Sequence, residues 1–362
     1  MRFIVPKASK QELVVTDSML VSAAESLSEE REELTAAINE HSEAEQKLEA
    51  INATALALET MGYTDTFLTI YNRDGVLLSE LGLVNVVSGS MEGMDEASKA
   101  EDAKKVKEGL DEAKTKAEGV RSNAAKRMVE AAITFLRKWF TTNEYLAKSI
   151  AKNTEKLSSM NEKEFAEMPA TIFSDDQLQA VFGATAPVMA LLKKVLEKGV
   201  AAYSKKEGSP SEVEFWKSIG WSNKISAIGI TLGDHGITID TAKPKATKTT
   251  YGEASWTKPF LTSASKEAQA ALRWNRKELA TIMKALDKAA VSAVTQNSGE
   301  TDLPTLFKIT GTAIRIAKRQ STLLSSAATQ VDLAIRRAAG VSSKEAEPKK
   351  DDEAAKKDEA KK

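Results

Sequence analysis

Residues 103–160, AKKVKEGLDEAKTKAEGVRSNAAKRMVEAAITFLRKWFTTNEYLAKSIAKNTEKLSSM, decide how the rest of the chain reads. Val106, Leu110, Ala113, Ala117, Val120, Ala124, Met128, Ala131, Phe135 and Trp139 recur at steps of three and four. That spacing keeps one seam of a helix apolar for many turns. At about 1.5 Å per residue the helix reaches roughly 85 Å, far longer than a compact domain needs. Its second half gathers Phe135, Trp139, Phe140 and Tyr145, with Arg137 and Lys138 between them. Such a mixture either stacks on single-stranded nucleic acid or, as helical spacing favours, forms a core with snorkelling neighbours.

A helix of that kind needs partners, and the preceding segment offers one. Thr16-Asp17-Ser18 supplies capping side chains, and Leu20, Leu27, Leu34, Ile38, His41, Ala44, Leu48, Ile51, Ala55 and Leu58 share a face up to Met61. The opposite face is crowded with Glu29, Glu30, Glu32, Glu33, Glu40, Glu43 and Glu45. Ahead of it, residues 1–15 read as an extended arm because Pro6 prevents an early helix. After Gly62, Thr64 caps a short helix through Phe67, Leu68 and Tyr71 that stops near Asn72-Arg73-Asp74-Gly75. The apolar run 76–87 is one helix or a buried pair of turns, and residues 88–96 read as an exposed loop and the best boundary in the chain.

Beyond the central helix, residues 161–205 hold two more helices, the second from Asp175 to Tyr203 with Pro187 expected to kink or divide it. Alternation over 224–232 and 237–239, around Gly233-Asp234-His235-Gly236, predicts a β-hairpin with a four-residue loop. Residues 240–258 are a loop or irregular edge. Residues 262–296 read as one helix, capped by Ser263 or Ser265, with Leu272, Leu279, Met283, Leu286 and Val291 as its stripe. A last helix starts at Leu303-Pro304 and runs to Ala339. Ser321 to Ser326 read as a close helix-packing surface, and the tail 342–362, rich in both signs of charge, as disordered.

The expected fold class is therefore mainly α, an elongated bundle of long helices with a small β-hairpin insert and a disordered charged C-terminal tail. Its parts are an acidic helical segment 1–92, the long helix 93–160, a mixed region 161–256 containing the hairpin, a basic helical hairpin 257–341, and the tail 342–362. The 362 residues are 42% hydrophobic but only 6% aromatic, a balance that favours helices and long surfaces over a thick core. The absence of cysteine excludes disulfides, thiolate zinc sites and cysteine nucleophiles, and the expected setting is a reducing cytoplasm or something assembled there. The first fifteen residues are too weakly apolar for a secretory signal, and no apolar run of about 18 residues predicts a membrane span.

The net charge of −1 conceals an asymmetry. Residues 1–92 carry 16 acidic and 6 basic side chains, while residues 93–362 carry 36 and 45. Different partners at the two ends, or uneven solvation of helix faces, both produce that pattern. Residues 257–341, with 13 basic and 6 acidic side chains, provide the candidate nucleic-acid-facing positions Arg273, Arg276, Lys277, Arg315, Lys318, Arg319, Arg336 and Arg337. No phosphate-binding, dinucleotide-binding or HExxH motif is present. Of the two histidines, His41 lies on the acidic helix and His235 beside Asp234 in the hairpin turn, where residues normally serve turn geometry. No catalysis, cofactor or metal is expected.

Three stretches together resemble the internal head proteins of phiKZ-like giant tailed bacteriophages: EREELTAAINEHSEAEQKLEAINATALALETMGY, VEAAITFLRKWFTTNEYLAKSIAKNTEKL and RWNRKELATIMKALDKAA. The resemblance implies a non-enzymatic virion structural protein, co-assembled in the host cytoplasm with scaffold, capsid and prohead protease, trimmed by that protease, and retained in the capsid interior with the genome. It also implies cleavage after Glu in a Ser/Ala-x-Glu context, for which Ser90-Met91-Glu92 in the expected loop is the candidate. Cutting there separates the acidic segment from the basic remainder, which then meets DNA nonspecifically. The alternative is a cytoplasmic helical scaffold or effector that binds a protein partner through its apolar seams, and an enzyme built on Asp234 and His235 is a third reading.

Overall fold

The computed structural model describes residues 16–79, 96–159, 170–171, 173–203, 207–240, 247–248, 256–295 and 302–339. The arm 1–15, the cleavage candidate Ser90-Met91-Glu92 and the charged tail lie outside the described residues. In chain order the helices begin with α1 (Asp17–Met61), α2 (Asp65–Ser79) and α3 (Glu96–Ser158). A short strand β1 (Ala170–Thr171) precedes α4 (Asp175–Ala202), α5 (Glu212–Ser218) and α6 (Asn223–Ser226). Strands β2 (Ile230–Gly233), β3 (Gly236–Ile239) and β4 (Thr247–Lys248) lead to α7 (Lys258–Leu272), α8 (Arg276–Thr295) and α9 (Leu303–Ala338). The protein is an elongated, mainly helical bundle carrying a small antiparallel hairpin.

The two longest helices run antiparallel along each other. Thr142 Oγ1 donates to the Ala23 carbonyl at 3.2 Å, Lys138 Nζ to Ser26 Oγ at 2.9 Å, and Arg127 pairs with Glu40 at 2.8 Å. Arg121 faces Glu45 at 3.8 Å one turn further on. Helix α1 starts where Thr16 Oγ1 accepts the Met19 N–H and ends at Gly62, whose φ of 69° suits glycine. The expected seam of α3 holds except at Val120 and Ala131, whose places are taken by Arg121 and Ala132. Val120 is 47% exposed while Arg121 is buried, and the full stripe of α3 is wider than the one expected because several helices flank it.

Two apolar clusters result. At one end Leu48, Ile51 and Ala57 of α1 and Phe67, Leu68 and Tyr71 of α2 close over Val106, Leu110, Ala113 and Ala117. At the other, Leu27, Leu34, Ala37 and Ile38 of α1 join α3, α4, α7, α8 and α9 in the main core. Helix α1 thus contributes to both clusters, its first half to the main core and its second half to the smaller one, and is not a separable acidic segment. Phe135 stacks on Trp139 at 5.6 Å, and Trp139 meets the edge of Trp274 at 4.2 Å, so these two aromatics of α3 are core, while Phe140 packs at the edge of that core and Tyr145 is half-buried.

Several local expectations change in the folded chain. Helix α2 continues through Asn72-Arg73-Asp74-Gly75, since one interior glycine costs only about 1 kcal/mol against the turns gained. Helix α4 is one element across Pro187. The alternation at 224–232 is split into the helical turn α6 and β2, and the hairpin loop is the two residues Asp234-His235, with Gly233 paired to Gly236. At 170–171 the expected helix is a two-residue strand paired with β4. Residues 262–296 are not one helix: Arg273-Trp274-Asn275 separates α7, capped by Thr257 rather than Ser263 or Ser265, from α8. The break places Trp274 against Trp139, and Asn275 Oδ1 then accepts the Lys277 N–H at 3.0 Å. Region 257–341 therefore contains three helices in place of a hairpin.

Cutting the chain between Met91 and Glu92 through an inserted protease site is expected to leave the two pieces associated, co-eluting in size-exclusion chromatography until denaturant is added. An N-terminal fragment eluting alone would show that the α1–α3 seam is too weak to hold without chain continuity.

Candidate anion-binding site

The eight basic positions singled out by charge do not form one face. Arg273, Lys277 and Arg337 are exposed. Arg276 pairs with Glu144 at 2.7 Å and lies over the Phe140 ring at 5.7 Å. Arg336 turns inward, 2.9 Å from the Asp332 carboxylate, and donates to Ser149 Oγ at 2.9 Å. Asn153 Nδ2 and Ser149 Oγ also donate to Asp332, so this network joins α3 to the end of α9. Burial pushes the Asp332 carboxyl up, and Arg336, Asn153 and Ser149 pull against that.

Arg315, Lys318 and Arg319 converge instead on a pocket of about 330 Å³ between α1, α9 and β3. Thr35, Ile38 and Asn39 of α1, Ile239 of β3 and Thr322 of α9 complete its lining. Lys318 donates to Thr35 Oγ1, which itself donates to the Arg31 carbonyl at 2.6 Å. Arg315 donates to Ser42 Oγ at 3.1 Å. Behind the pocket Arg31 is held by Ser321 and Ser325 of α9: Nε and Nη2 reach Ser321 Oγ, and Nη2 also reaches the Ser321 carbonyl and Ser325 Oγ. The serine run is thus a packing surface that also receives a guanidinium.

Arg31, Arg315 and Lys318 have no carboxylate at ion-pair distance among the described residues. Burial lowers Lys318, and the charges of Arg31 and Arg315 lower it further while Glu32 opposes them. Burial brings Arg31 down to about 10, which leaves it charged at neutral pH. Arg319 is lowered by burial against the opposing pull of Asp240. The arrangement is a half-buried group of cations with hydroxyl and amide groups around it, the chemistry that receives an oxyanion. Charge counting along α9 found three of these residues. Arg31, on a helix read as acidic, was hidden because its partners are about 290 positions away in sequence.

One helical turn or two along α1, His41 is buried against Phe307, ring centroids 5.7 Å apart. Its Nε2 lies 3.6 Å from Glu45 Oε1, too long for a hydrogen bond. The other sequence candidate is bare by comparison. Asp234 and His235 are exposed at the hairpin turn, and Asp234 has Lys217 at 3.7 Å. No group of three or more metal-ligating side chains occurs among the described residues. A larger groove of about 610 Å³ lies between α4 and the α7–α8 break, with Phe182, Gly183, Met189 and Trp274 in its wall. Helix α4 is, among the described residues, long and apolar enough to cross a membrane, with a mean hydropathy of 1.2 and 56% of that window buried in the bundle. Comparison with protein-family models, curated proteins and solved structures finds no match to this chain.

The His41–Glu45 pair has a testable proton balance. Burial, then the Arg121 and Arg315 charges, lower His41 from 6.5 to about 4. Burial raises Glu45 from 4.5 to about 7 against the charge of Arg121. Between pH 4.5 and 6.5 the folded pair therefore carries one proton, on Glu45, and the unfolded pair also carries one, on His41. Equal proton counts make the pair's contribution nearly independent of pH in that window. In Glu45→Gln the folded site takes no proton until about pH 4 while the unfolded histidine takes one below 6.5. Stability of that variant, measured by urea unfolding, should fall by about 3 kcal/mol from pH 6.5 to 4 relative to wild type. Parallel pH profiles for the two proteins would refute the assignment.

Proposed function

We propose that the chain is a non-catalytic structural protein of a giant tailed-phage head, assembled into the procapsid and retained inside the capsid beside the genome. The three stretches that resemble phiKZ-like internal head proteins support it. The observation that carries it is the pairing of α1 and α3 along their length, 45 and 63 residues respectively. Their apolar seams are buried by one another, which removes the surface that a scaffold or effector would offer to an outside helix.

On this reading, trimming after Glu92 does not discard the acidic segment. Helix α1 supplies Leu27, Leu34, Ala37 and Ile38 to the main core, so a cut there converts one chain into a two-piece body. Contact with the genome is made by exposed cations such as Arg273, Lys277 and Arg337, and is nonspecific and salt-sensitive. The head proteins and prohead protease are its partners.

Mass spectrometry of procapsids and mature particles tests the proposal directly. The chain is expected in both, with a new terminus after Glu92 in the mature head and with peptides from α1 still present. Its absence from purified particles would overturn the virion reading. A titration of the full chain with duplex DNA should show binding at low salt that disappears at high salt.

A further inference from the structure

We infer that the pocket between α1, α9 and β3 is a binding site for a phosphoryl-type anion, a phosphate ester or pyrophosphate. The inference goes beyond the virion reading and does not depend on it. Four cations, Arg31, Arg315, Lys318 and Arg319, act on this place, and Glu32 and Asp240 are the carboxylates acting on Lys318 and Arg319. Cations outnumber carboxylates there, which favours an anionic ligand.

The pocket has the donor types that a tetrahedral oxyanion takes. Arg315 offers a guanidinium, Lys318 an ammonium with protons beyond the one it gives Thr35, and Asn39 an amide, all in its lining, while the Thr35 and Thr322 hydroxyls donate to the Arg31 and Lys318 carbonyls. Lys318 and Arg319 are only partly exposed, so an anion there is less screened than one on a free surface. Arg31 is pinned by Ser321 and Ser325, which fixes a positive charge behind the site at no cost in ordering when the ligand arrives. Most of the exposed lining is apolar, Ile38 and Ile239 included, and at about 330 Å³ the space exceeds what a lone oxyanion fills, so it suits the organic part of an ester beside the cations. Without an anion the like charges of Arg31, Arg315 and Lys318 repel one another at the α1–α9 contact. Bound anion therefore links the two helices, and occupancy must be read out as stability.

The experiment is thermal unfolding of the full-length protein with inorganic pyrophosphate against chloride at matched ionic strength, together with calorimetric titration of the same ligand. Wild type is expected to gain melting temperature with pyrophosphate. Lys318→Met and Arg315→Met should lose at least tenfold in affinity, and the Lys318→Met protein without ligand should melt no lower than wild type because a like-charge contact is gone. Lys277→Met, at an exposed cation away from the pocket, should keep the full shift. Competition by a short DNA duplex that fails in Lys318→Met would identify a nucleic-acid phosphate as the ligand; absence of competition alongside pyrophosphate binding would identify a free phosphoryl compound. No shift beyond the chloride control, or an equal shift in Lys318→Met, overturns the proposal.

Discussion

The mutual burial of α1 and α3 is the constraint on which the other helices depend. Isolated helices are marginal in water, and their stability in a protein comes mainly from burying an amphipathic face. Here each long helix covers the other's face. The pairs Ala23–Thr142, Ser26–Lys138, Glu40–Arg127 and Glu45–Arg121 keep one register over about six turns. Helix α9 then runs antiparallel to α1, through Arg31–Ser321 and Arg315–Ser42, and parallel to α3, through Ser149–Asp332. Small residues permit its approach: a Cβ on Gly311 would already touch Met128 Sδ at 3.4 Å.

The same packing explains the charge asymmetry along the chain. An acidic leading helix and a basic remainder read, in one dimension, like two parts destined for different partners. In three dimensions several of those charges face each other. Glu40 meets Arg127 and Glu45 meets Arg121 across the α1–α3 contact. The Glu40–Arg127 pair is exposed and contributes little to stability, so its role is to favour one register over slipped ones, whereas Arg121 and Glu45 meet in a largely buried place. Where α1 meets α9 the complementarity fails, because Arg31 faces Lys318 and Arg315 in place of a carboxylate. That failure in an otherwise matched interface is what makes the pocket chemically distinct.

Buried polar groups divide into two kinds. Asp332 with Ser149, Asn153 and Arg336 is a hydrogen-bonded and ion-paired network, and Gln320, donating to the Val181 carbonyl at 2.7 Å and Thr185 Oγ1 at 2.8 Å, ties α9 to α4. Such groups specify a unique alignment, since a slipped helix would leave them unpaired in the interior. His41 and Glu45 are of the other kind, held near neutrality by burial in place of hydrogen bonds.

Sequence alone determined the helices, because amphipathic periodicity and capping are local: α1 starts at the cap Thr16 and ends at Gly62, and α9 starts at Leu303-Pro304, where the spacing puts them. It also placed Arg315, Lys318 and Arg319 on one stretch of α9, and Phe135 and Trp139 of α3 in a core. Only the tertiary structure decided that Arg273-Trp274-Asn275 breaks a helix, since the gain lies in Trp274 reaching Trp139 across the bundle. Only it brought Arg31 and Thr35 to Lys318, and turned a charge-split chain into one body with a shared core. The physical reason is that propensity acts over one or two turns, whereas burial and desolvation are set by whichever residues, hundreds of positions apart, come to exclude water from the same place.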